Sequence, residues 1–152
     1  MTVRFSRESP DRWLADARFI LDEHLKESGE DLGSSLDINH ELYINLDKSG
    51  ALHIITGRNE HRELVAYWIG LVIPNLNYKS FTTAYAHAYW VRQDYRGYTV
   101  FRFVKYLDNY LVNLKVRNII FNVRMNNRMG DILAKLGYRK IEEVYTKVLL
   151  DV

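Results

Sequence analysis

The pattern of hydrophobic and polar positions first predicts two helices. Ser9 followed by Pro10 marks a helix start, because serine can cap the first N–H groups and proline suits the first helical turn. Apolar residues then recur at helical spacing as far as Leu25, and this helix is expected to end before Gly29. A second, shorter helix is predicted over residues 36–46.

Beyond position 50 the hydrophobic pattern changes from helical spacing to the pattern of β-strands. Segments 51–56 and 64–73 are rich in Val, Ile, Tyr and Trp and are separated by a polar turn, so they predict an antiparallel hairpin. A third strand is predicted over 81–91, with four alternating residues expected on one face. These are Tyr85, His87, Tyr89 and Val91.

The rest of the chain predicts two more helices and two more strands. The central helix covers 100–114, where apolar residues recur every three or four positions. A short buried strand follows over 116–123, and a helix over 129–136 is expected to end at Gly137 in a left-handed cap. A last strand is predicted over 138–149.

Composition narrows the class of protein. The chain has 152 residues, 47% of them hydrophobic and 26% charged, which is typical of one soluble globular domain spanning residues 1–152. It contains no cysteine, which excludes disulfides, thiolate metal sites and a cysteine nucleophile. No apolar run is long enough for a signal peptide or a membrane span, so a cytoplasmic location is expected. The net charge is only +2, which argues poorly for nucleic-acid binding.

The junction between the third strand and the central helix is the most informative segment. A strand turns through Gly97 directly into a long helix, and the first N–H groups of a helix have no intrahelical acceptor. Together with the helix dipole, these groups favour an anion. Arg96 adds a positive charge, so a phosphate or pyrophosphate is the expected guest.

Two segments resemble motifs of the GNAT superfamily of N-acetyltransferases. Residues 91–97 are similar to the pattern V-x-P-E-Y-R-G, with Gln93 in place of the proline. Downstream, Asn126 followed by a helix that ends in Lys135-Leu136-Gly137-Tyr138 resembles the second motif. The resemblance runs from about Leu64 to the end, and segments 142–149 and 74–78 look similar to phage-encoded members.

The resemblance implies an α/β (α+β) fold: a mixed, mostly antiparallel sheet flanked by helices, with strands that splay apart at the cofactor site. It implies direct transfer of an acetyl group from acetyl-CoA to a primary amine of a small molecule or a protein. Backbone groups near the splay would hold the pantetheine and the thioester, the following loop would hold the pyrophosphate, and Asn126 would contact the pantetheine arm. The implied cofactor-binding residues are Trp90, Val91, Arg92, Arg96, Gly97, Tyr98, Thr99, Val100, Phe101 and Asn126.

His87 lies where many GNAT relatives place the glutamate that deprotonates the amine. Imidazole can act as a base near neutral pH, so His87 is the candidate catalytic residue. The alternative is that His87 simply packs among neighbouring aromatic rings.

Two other positions depart from the family pattern. Phe101 stands where a small residue is usual, and its ring either belongs to the helix core or obstructs the pyrophosphate. Leu133 replaces the tyrosine that protonates the departing thiolate. Four tyrosines are candidate replacements for that acid: Tyr85, Tyr89, Tyr138 and Tyr145.

Two other functions stay open at this stage. Phe101 and Leu133 favour a catalytically inactive GNAT-fold interaction or structural module. Aromatic residues interleaved with basic ones suggest nucleic-acid binding, although the basic residues also fit a cofactor site. They are Arg92, Arg96, Arg102 and Lys105. Under the enzyme hypothesis no metal, nucleic acid or membrane partner is expected, and a homodimer is compatible with the sequence.

Overall fold

A computed structural model describes residues 2–28, 36–125 and 127–150 of the chain. The strands are β1 (Arg4–Glu8), β2 (Leu52–Arg58), β3 (Leu64–Pro74), β4 (Thr82–Val91) and β5 (Asn118–Ile120). The helices are α1 (Pro10–Ala17), α2 (Leu21–Ser28), α3 (His40–Lys48), α4 (Tyr98–Asn113) and α5 (Met129–Lys135). A single 3₁₀ turn, Gln93–Tyr95, lies between β4 and α4.

The five strands form one open sheet in the order β1-β2-β3-β4-β5. The first four strands are antiparallel to their neighbours, whereas β5 runs parallel to β4. This confirms the predicted mixed, mostly antiparallel sheet and the hairpin of β2 and β3.

Helices cover both faces of the sheet and bury a hydrophobic cluster on each. On one face, Phe103, Val104 and Leu107 of α4 are fully buried against the sheet together with residues of α5. On the other face, Trp13 of α1 is buried against Tyr67 of β3 in a cluster that also includes Trp90. Fully burying one large apolar side chain contributes about 1.5–3 kcal/mol, so these two clusters position β4 firmly between the helices.

The N-terminal region departs from the sequence prediction in three ways. Strand β1 was not predicted, the single first helix is two helices, α1 and α2, and the next helix begins later, at His40. The predicted cap is confirmed, because the Ser9 hydroxyl oxygen accepts a hydrogen bond of 3.2 Å from the Arg12 N–H. The end expected before Gly29 lies at the limit of the described residues.

Strand β4 contains a β-bulge that the alternating pattern conceals. Gly70 of β3 lies opposite Ala86, and Ile69 lies opposite Ala88, so His87 is an extra residue. The prediction of four residues on one face is therefore wrong: Tyr89 packs in the cluster under α4, and the alternation reverses at His87.

In the second half of the chain the two predicted helices are confirmed, whereas the two predicted strands are shortened or absent. The central helix is α4, and Gly137 follows α5 with a φ of +88° in the expected left-handed conformation. Strand β5 has only 3 residues and is not fully buried. The last predicted strand, 138–149, is wrong, because this segment makes no strand pairing with any described residue. None of the described helices combines the length and apolar character needed to span a membrane.

Candidate functional site

The candidate site lies where β5 separates from β4. The two strands pair over only three positions, ending at Tyr85 opposite Ile120. Over 86–91, β4 is paired with β3 on one side and has no strand neighbour among the described residues on the other. Backbone N–H and C=O groups along this side are therefore open to an extended ligand.

His87 occupies the bulge at the beginning of this open stretch. It is the second residue after the end of the pairing with β5, and its side chain is exposed. A bulge re-aims a side chain and is common beside functional sites. The structure therefore does not bury His87 among the neighbouring aromatic rings, and its imidazole is accessible to a substrate.

Tyr89 fills the space between the diverging strands. Its ring lies 5.5 Å from the ring of Phe103 and 5.7 Å from that of Phe121, which follows β5. The Tyr89 hydroxyl is buried and has no hydrogen-bond partner among the described residues. Burial raises the pKa of this hydroxyl, and the charge of Arg96 opposes that shift only in part. The group thus keeps its proton at neutral pH and lacks an acceptor for it.

The turn into α4 has the geometry of an anion site. Gly97 precedes the helix with a φ of +108°, a conformation that side-chain-bearing residues rarely adopt. The Val100 N–H donates to the Gly97 carbonyl over 3.1 Å, and the N–H groups of Tyr98 and Thr99 come before this first bond. They therefore lie free at the positive end of a 16-residue helix.

An open hollow of about 490 Å³ adjoins this helix start and lies between α4 and α5. It is lined by Gly97, Tyr98, Phe101, Ile132 and Lys135. Phe101 is therefore not part of the core, contrary to one of the two sequence-based alternatives. Its half-buried ring faces the hollow, stacks near Tyr98 at 6.4 Å, and has the Lys105 ammonium 5.7 Å from its centroid.

Both arginines of the first motif are held by acidic partners. Arg96 donates to the Val91 carbonyl over 2.8 Å and to the Glu27 carboxylate of α2 over 2.5 Å. Arg92 donates to Asp94 over 2.8 Å, which lowers the pKa of the Asp94 carboxyl. The arginines therefore stabilise the turn and its contact with α2, and an anion would have to share Arg96 with Glu27.

The other predicted cofactor residues have different environments. Trp90, Val91 and Val100 are buried in the two hydrophobic clusters, so only their backbone can reach a ligand. Tyr98 is exposed and Thr99 is half-buried at the helix start. Asn126 lies outside the described residues. Among the residues that are described, no three His, Asp or Glu side chains lie close enough together to hold a metal ion.

The candidate replacements for the missing general acid differ in their partners. Leu133 is buried in the core, so the usual position is occupied by a packing residue. Tyr138 donates to Asp108 over 2.5 Å, and Tyr145 donates to Glu143 over 2.9 Å. Burial raises the pKa of Tyr138, and Asp108 raises it further. Tyr85 is exposed on the paired half of β4, which leaves Tyr89 as the tyrosine at the splay.

Sequence reasoning missed the basic side chain of Lys135 as a site residue. It belongs to the K-L-G sequence at the end of α5, which served only to mark the second motif. In the fold it reaches the hollow beside Gly97. Its helical spacing from Ile132, three positions earlier, was the available signal.

Comparison with solved structures identifies this architecture. A predicted acetyltransferase from Clostridium acetobutylicum, solved with acetyl-CoA, superposes with a TM-score of 0.72 at 14% identity, covering 96% of both chains. The fold is that of the GNAT acetyltransferases. The ribosomal-protein-alanine N-acetyltransferase of Brucella melitensis biovar Abortus 2308 gives a TM-score of 0.71 at 13% identity, covering 98% of this chain and 100% of the other.

A third neighbour comes from a plant. The glucosamine-6-phosphate N-acetyltransferase of Arabidopsis thaliana gives a TM-score of 0.69 at 14% identity, covering 97% of this chain and 98% of the other. No protein-family model and no curated protein sequence matches the chain. These neighbours are bacterial and plant proteins, so the likeness to phage-encoded members stays a sequence-based prediction.

The described residues fit acetyl-CoA. The open strand edge at 86–91 is followed along the chain by the N–H groups at the start of α4, which border the hollow between α4 and α5. The Tyr89 hydroxyl belongs to the open stretch of β4 and, although buried, has no acceptor among the described residues. Phe101 lines the hollow without filling it.

Proposed function

We propose that the protein is an N-acetyltransferase that transfers the acetyl group of acetyl-CoA directly to a primary amine. The observation that carries this proposal is the juxtaposition on β4 of an accessible histidine in a bulge and a backbone edge that leads to a helix N-terminus. A base, an extended ligand site and an anion site are thus arranged in sequence along one strand.

Binding of the cosubstrate depends mainly on backbone groups. The open edge of β4 supplies donors and acceptors to an extended, amide-containing ligand arm. The N–H groups of Tyr98 and Thr99 donate hydrogen bonds to the diphosphate at the start of α4. Lys135 contributes positive charge beside the same hollow, and Lys105 lies next to the ring of Phe101. Acetyl-CoA, when bound, supplies an acetyl group activated as a thioester.

His87 acts as the general base. A primary amine is almost fully protonated at neutral pH and cannot attack a carbonyl in that form. The His87 imidazole takes the ammonium proton, directly or through a water molecule, and passes it to solvent before the amine attacks. A second proton leaves the nitrogen as the nitrogen–carbon bond forms. Because the chain has no cysteine to carry the acetyl group, transfer to the amine occurs in one displacement.

Tyr89 is the proposed proton donor to the sulfur that leaves. Its hydroxyl is protonated, buried and without an acceptor at the splay, whereas the hydroxyls of Tyr138 and Tyr145 already donate to carboxylates. As the carbon–sulfur bond breaks, this proton neutralises the thiolate. The Tyr89 oxygen regains the second proton lost by the nitrogen, through solvent, so that one cycle converts ammonium and thioester into amide and thiol and releases one proton.

The acceptor is a primary amine of a small molecule or of a protein, and we place the reaction in the cytoplasm. Neighbours with this fold include aminoglycoside acetyltransferases and a ribosomal-protein-alanine N-acetyltransferase. Acidic residues are frequent in 22–47, the segment that contains α2 and α3, which favours a cationic acceptor.

A second candidate function is a GNAT-fold interaction module without activity. Specific observations favour it: Leu133 replaces the usual acid, and Arg96 is already paired with Glu27. Under this alternative the open edge of β4 and the hollow between α4 and α5 resemble a cofactor site but bind no cofactor.

Two measurements on the purified chain decide between these functions. Acetyl-CoA at a hundredfold excess over its dissociation constant should stabilise the enzyme by about 2.7 kcal/mol, visible as a rise in Tm. Thiol release should then be followed with a panel of polyamines, aminoglycosides and lysine peptides. Absence of any Tm shift up to millimolar acetyl-CoA would contradict the enzyme proposal. A Tm shift without thiol release in the presence of any amine of the panel would restrict the proposal to cofactor binding.

A further inference from the structure

The attachment of β5 to β4 depends on very few backbone contacts. The two strands are parallel and pair over three positions, beginning with Thr83 opposite Asn118. Just before them, the Arg117 N–H donates to the Thr82 carbonyl over 2.9 Å. Backbone hydrogen bonds repeat along a strand, so a ladder this short distinguishes weakly between neighbouring registers. A further contact is therefore needed to select the register observed.

The register of β5 decides which of its side chains face α4. Ile119 and Phe121 pack in the hydrophobic cluster beneath this helix. The ring of Phe121 lies 5.7 Å from that of Tyr89, the residue that fills the space between the diverging strands, and 6.0 Å from that of Tyr138. A slip of one residue would turn Phe121 to the opposite face of the sheet. The shape of the open stretch of β4 therefore depends on this register.

A chain of side-chain hydrogen bonds is specific to the observed register. The Thr83 hydroxyl donates to Oδ1 of Asn118 over 2.8 Å, and it accepts from Nδ2 of Asn75 over 3.0 Å. Thr83 is 1% exposed, so water competes little with these bonds. Because residues 83 and 118 lie directly opposite each other, a slip of β5 by one position would move the Asn118 amide away from the hydroxyl.

The hairpin turn between β3 and β4 fixes the other end of this chain of bonds. Oδ1 of Asn75 accepts from the N–H groups of Asn77 and Tyr78 over 2.9 and 3.1 Å. The Asn75 N–H donates to the Phe81 carbonyl over 2.9 Å. The Asn75 amide is thus held in one orientation, with its Nδ2 directed at the Thr83 hydroxyl. Through this hydroxyl the hairpin holds Asn118 of β5, which lies 35 residues after Thr83 in the chain.

We propose that Thr83 is a positioning residue for the acetyl-CoA site, given the function proposed above. Its hydroxyl lies on the paired half of β4 and acts through Asn118, which keeps β5 in register. That register places Phe121 beside Tyr89 and ends the pairing just before 86–91, so that this edge stays open to the ligand. Without the hydroxyl, β5 shifts along β4 or separates from it, and the site loses its shape.

The first measurement is the affinity for acetyl-CoA by calorimetry. Thr83→Val keeps the shape of threonine but lacks the hydroxyl, and it should weaken binding about tenfold, or about 1.4 kcal/mol. Thr83→Ser keeps the hydroxyl and should bind within about twofold of wild type. Thr56→Val is the matched control, because Thr56 is also fully buried and its hydroxyl donates to the Ser6 carbonyl over 3.4 Å between β1 and β2. It should bind as wild type even if it loses stability.

The second measurement reports the register directly and needs no ligand. Nuclear Overhauser contacts between the rings of Phe121 and Tyr89 should be present in wild type, Thr83→Ser and Thr56→Val, and should be lost in Thr83→Val. Asn118→Ala removes the acceptor of the Thr83 hydroxyl from an exposed position and should reproduce both effects. If Thr83→Val does not fold, Asn118→Ala replaces it in both measurements.

Failure of this inference differs from failure of the proposed function. If wild type binds acetyl-CoA but Thr83→Val or Asn118→Ala retains its affinity or its Phe121–Tyr89 contact, the hydroxyl does not position the site. An equal loss of affinity in Thr56→Val would indicate a general effect of stability and would also overturn the inference. Wild type that binds no acetyl-CoA would contradict the proposed function, and this inference with it.

Discussion

The two halves of β4 have different surroundings although they belong to one strand. Over 83–85 the strand has neighbours on both sides, β3 and β5. Over 86–91 it has β3 on one side, with the candidate base at the boundary and the helix start beyond the far end. The paired half is satisfied within the sheet, whereas the open half retains backbone hydrogen-bonding capacity for a ligand.

The candidate site therefore arises where regular structure is interrupted, rather than on a dedicated loop. The bulge, the divergence of β5 and the left-handed Gly97 are three local irregularities within a dozen residues. The first two interrupt the pairing of the sheet, and the third lies at the start of α4. Variants at these points should therefore separate the function of the open half from the stability of the paired half.

The largest effect is expected for the residue in the bulge. His87→Gln should lower turnover about a hundredfold, or about 2.7 kcal/mol in the barrier, because a positioned base is lost. The affinity for acetyl-CoA should change little. His61→Gln, at another exposed histidine, is the control and should behave as wild type.

Steady-state kinetics with the best amine of the panel provides the measurement. If His87→Gln retains full turnover, the base is not His87, and the two halves of β4 do not differ in the way described.

The next effect concerns the residue opposite the bulge. A Cβ added at Gly70 would lie 2.0 Å from Cη2 of the buried Trp68 indole, so Gly70→Ala should destabilise the protein by about 1–3 kcal/mol. Gly130→Ala, where no atom lies within 4 Å, is the matched control and should be neutral or slightly stabilising. Urea denaturation measures both, and equal stabilities would show that the boundary between the two halves tolerates a side chain.

The third effect lies at the end of the open half. Gly97→Val should weaken acetyl-CoA binding about tenfold or more, or about 1.4 kcal/mol, because a β-branched residue cannot keep a φ of +108° and the N–H groups of α4 reorient. Gly50→Val carries a similar strain, at a φ of +80° with open space around it, and should lose stability but not affinity. Calorimetric titration distinguishes them, and equal affinities would remove the helix start from the proposed site.

The smallest effect is expected for Phe101. Its half-buried ring borders the hollow, so Phe101→Ala should cost about 1 kcal/mol of stability, from lost surface contacts and the Lys105 interaction. Phe103→Ala, two residues along the same helix, removes a fully buried ring and should cost about 3–5 kcal/mol. Similar losses of stability for the two variants in thermal denaturation would show that Phe101 belongs to the core.

Strong periodicity and glycine positions made much of the fold predictable. The predicted stripe comprised Val100, Val104, Leu107, Leu111 and Leu114. Its first four residues are buried as expected, whereas Leu114, just after the end of α4, is exposed. Gly137 has the left-handed conformation assigned to it. Such features depend on the spacing of apolar residues and on the positions of glycines, and both can be read from the sequence. Strand β1 escaped prediction because its five residues include a single large apolar side chain, Phe5, among polar ones.

The candidate site was only partly predictable, because it depends on register. The sequence of β4 alternates convincingly, and nothing within it reveals that β3 skips one residue at His87. The partners of Arg92 and Arg96 come from loop and helix contacts that no motif specifies. Residues 138–149 have the composition of a strand, but they pair with no strand among the described residues, so composition alone was not sufficient there.

The bulge makes β4 one residue longer than its neighbour requires. Without position 87, Ala86 and Ala88 would be adjacent, and the side chains that now face α4 and those that face α1 would keep their sides of the sheet. In terms of insertions and deletions, His87 is a residue that the architecture can omit. A gene lacking that single codon would encode the same sheet without the proposed base, so one deletion or insertion at this position would remove or restore the proposed chemistry without changing the facing of the other side chains.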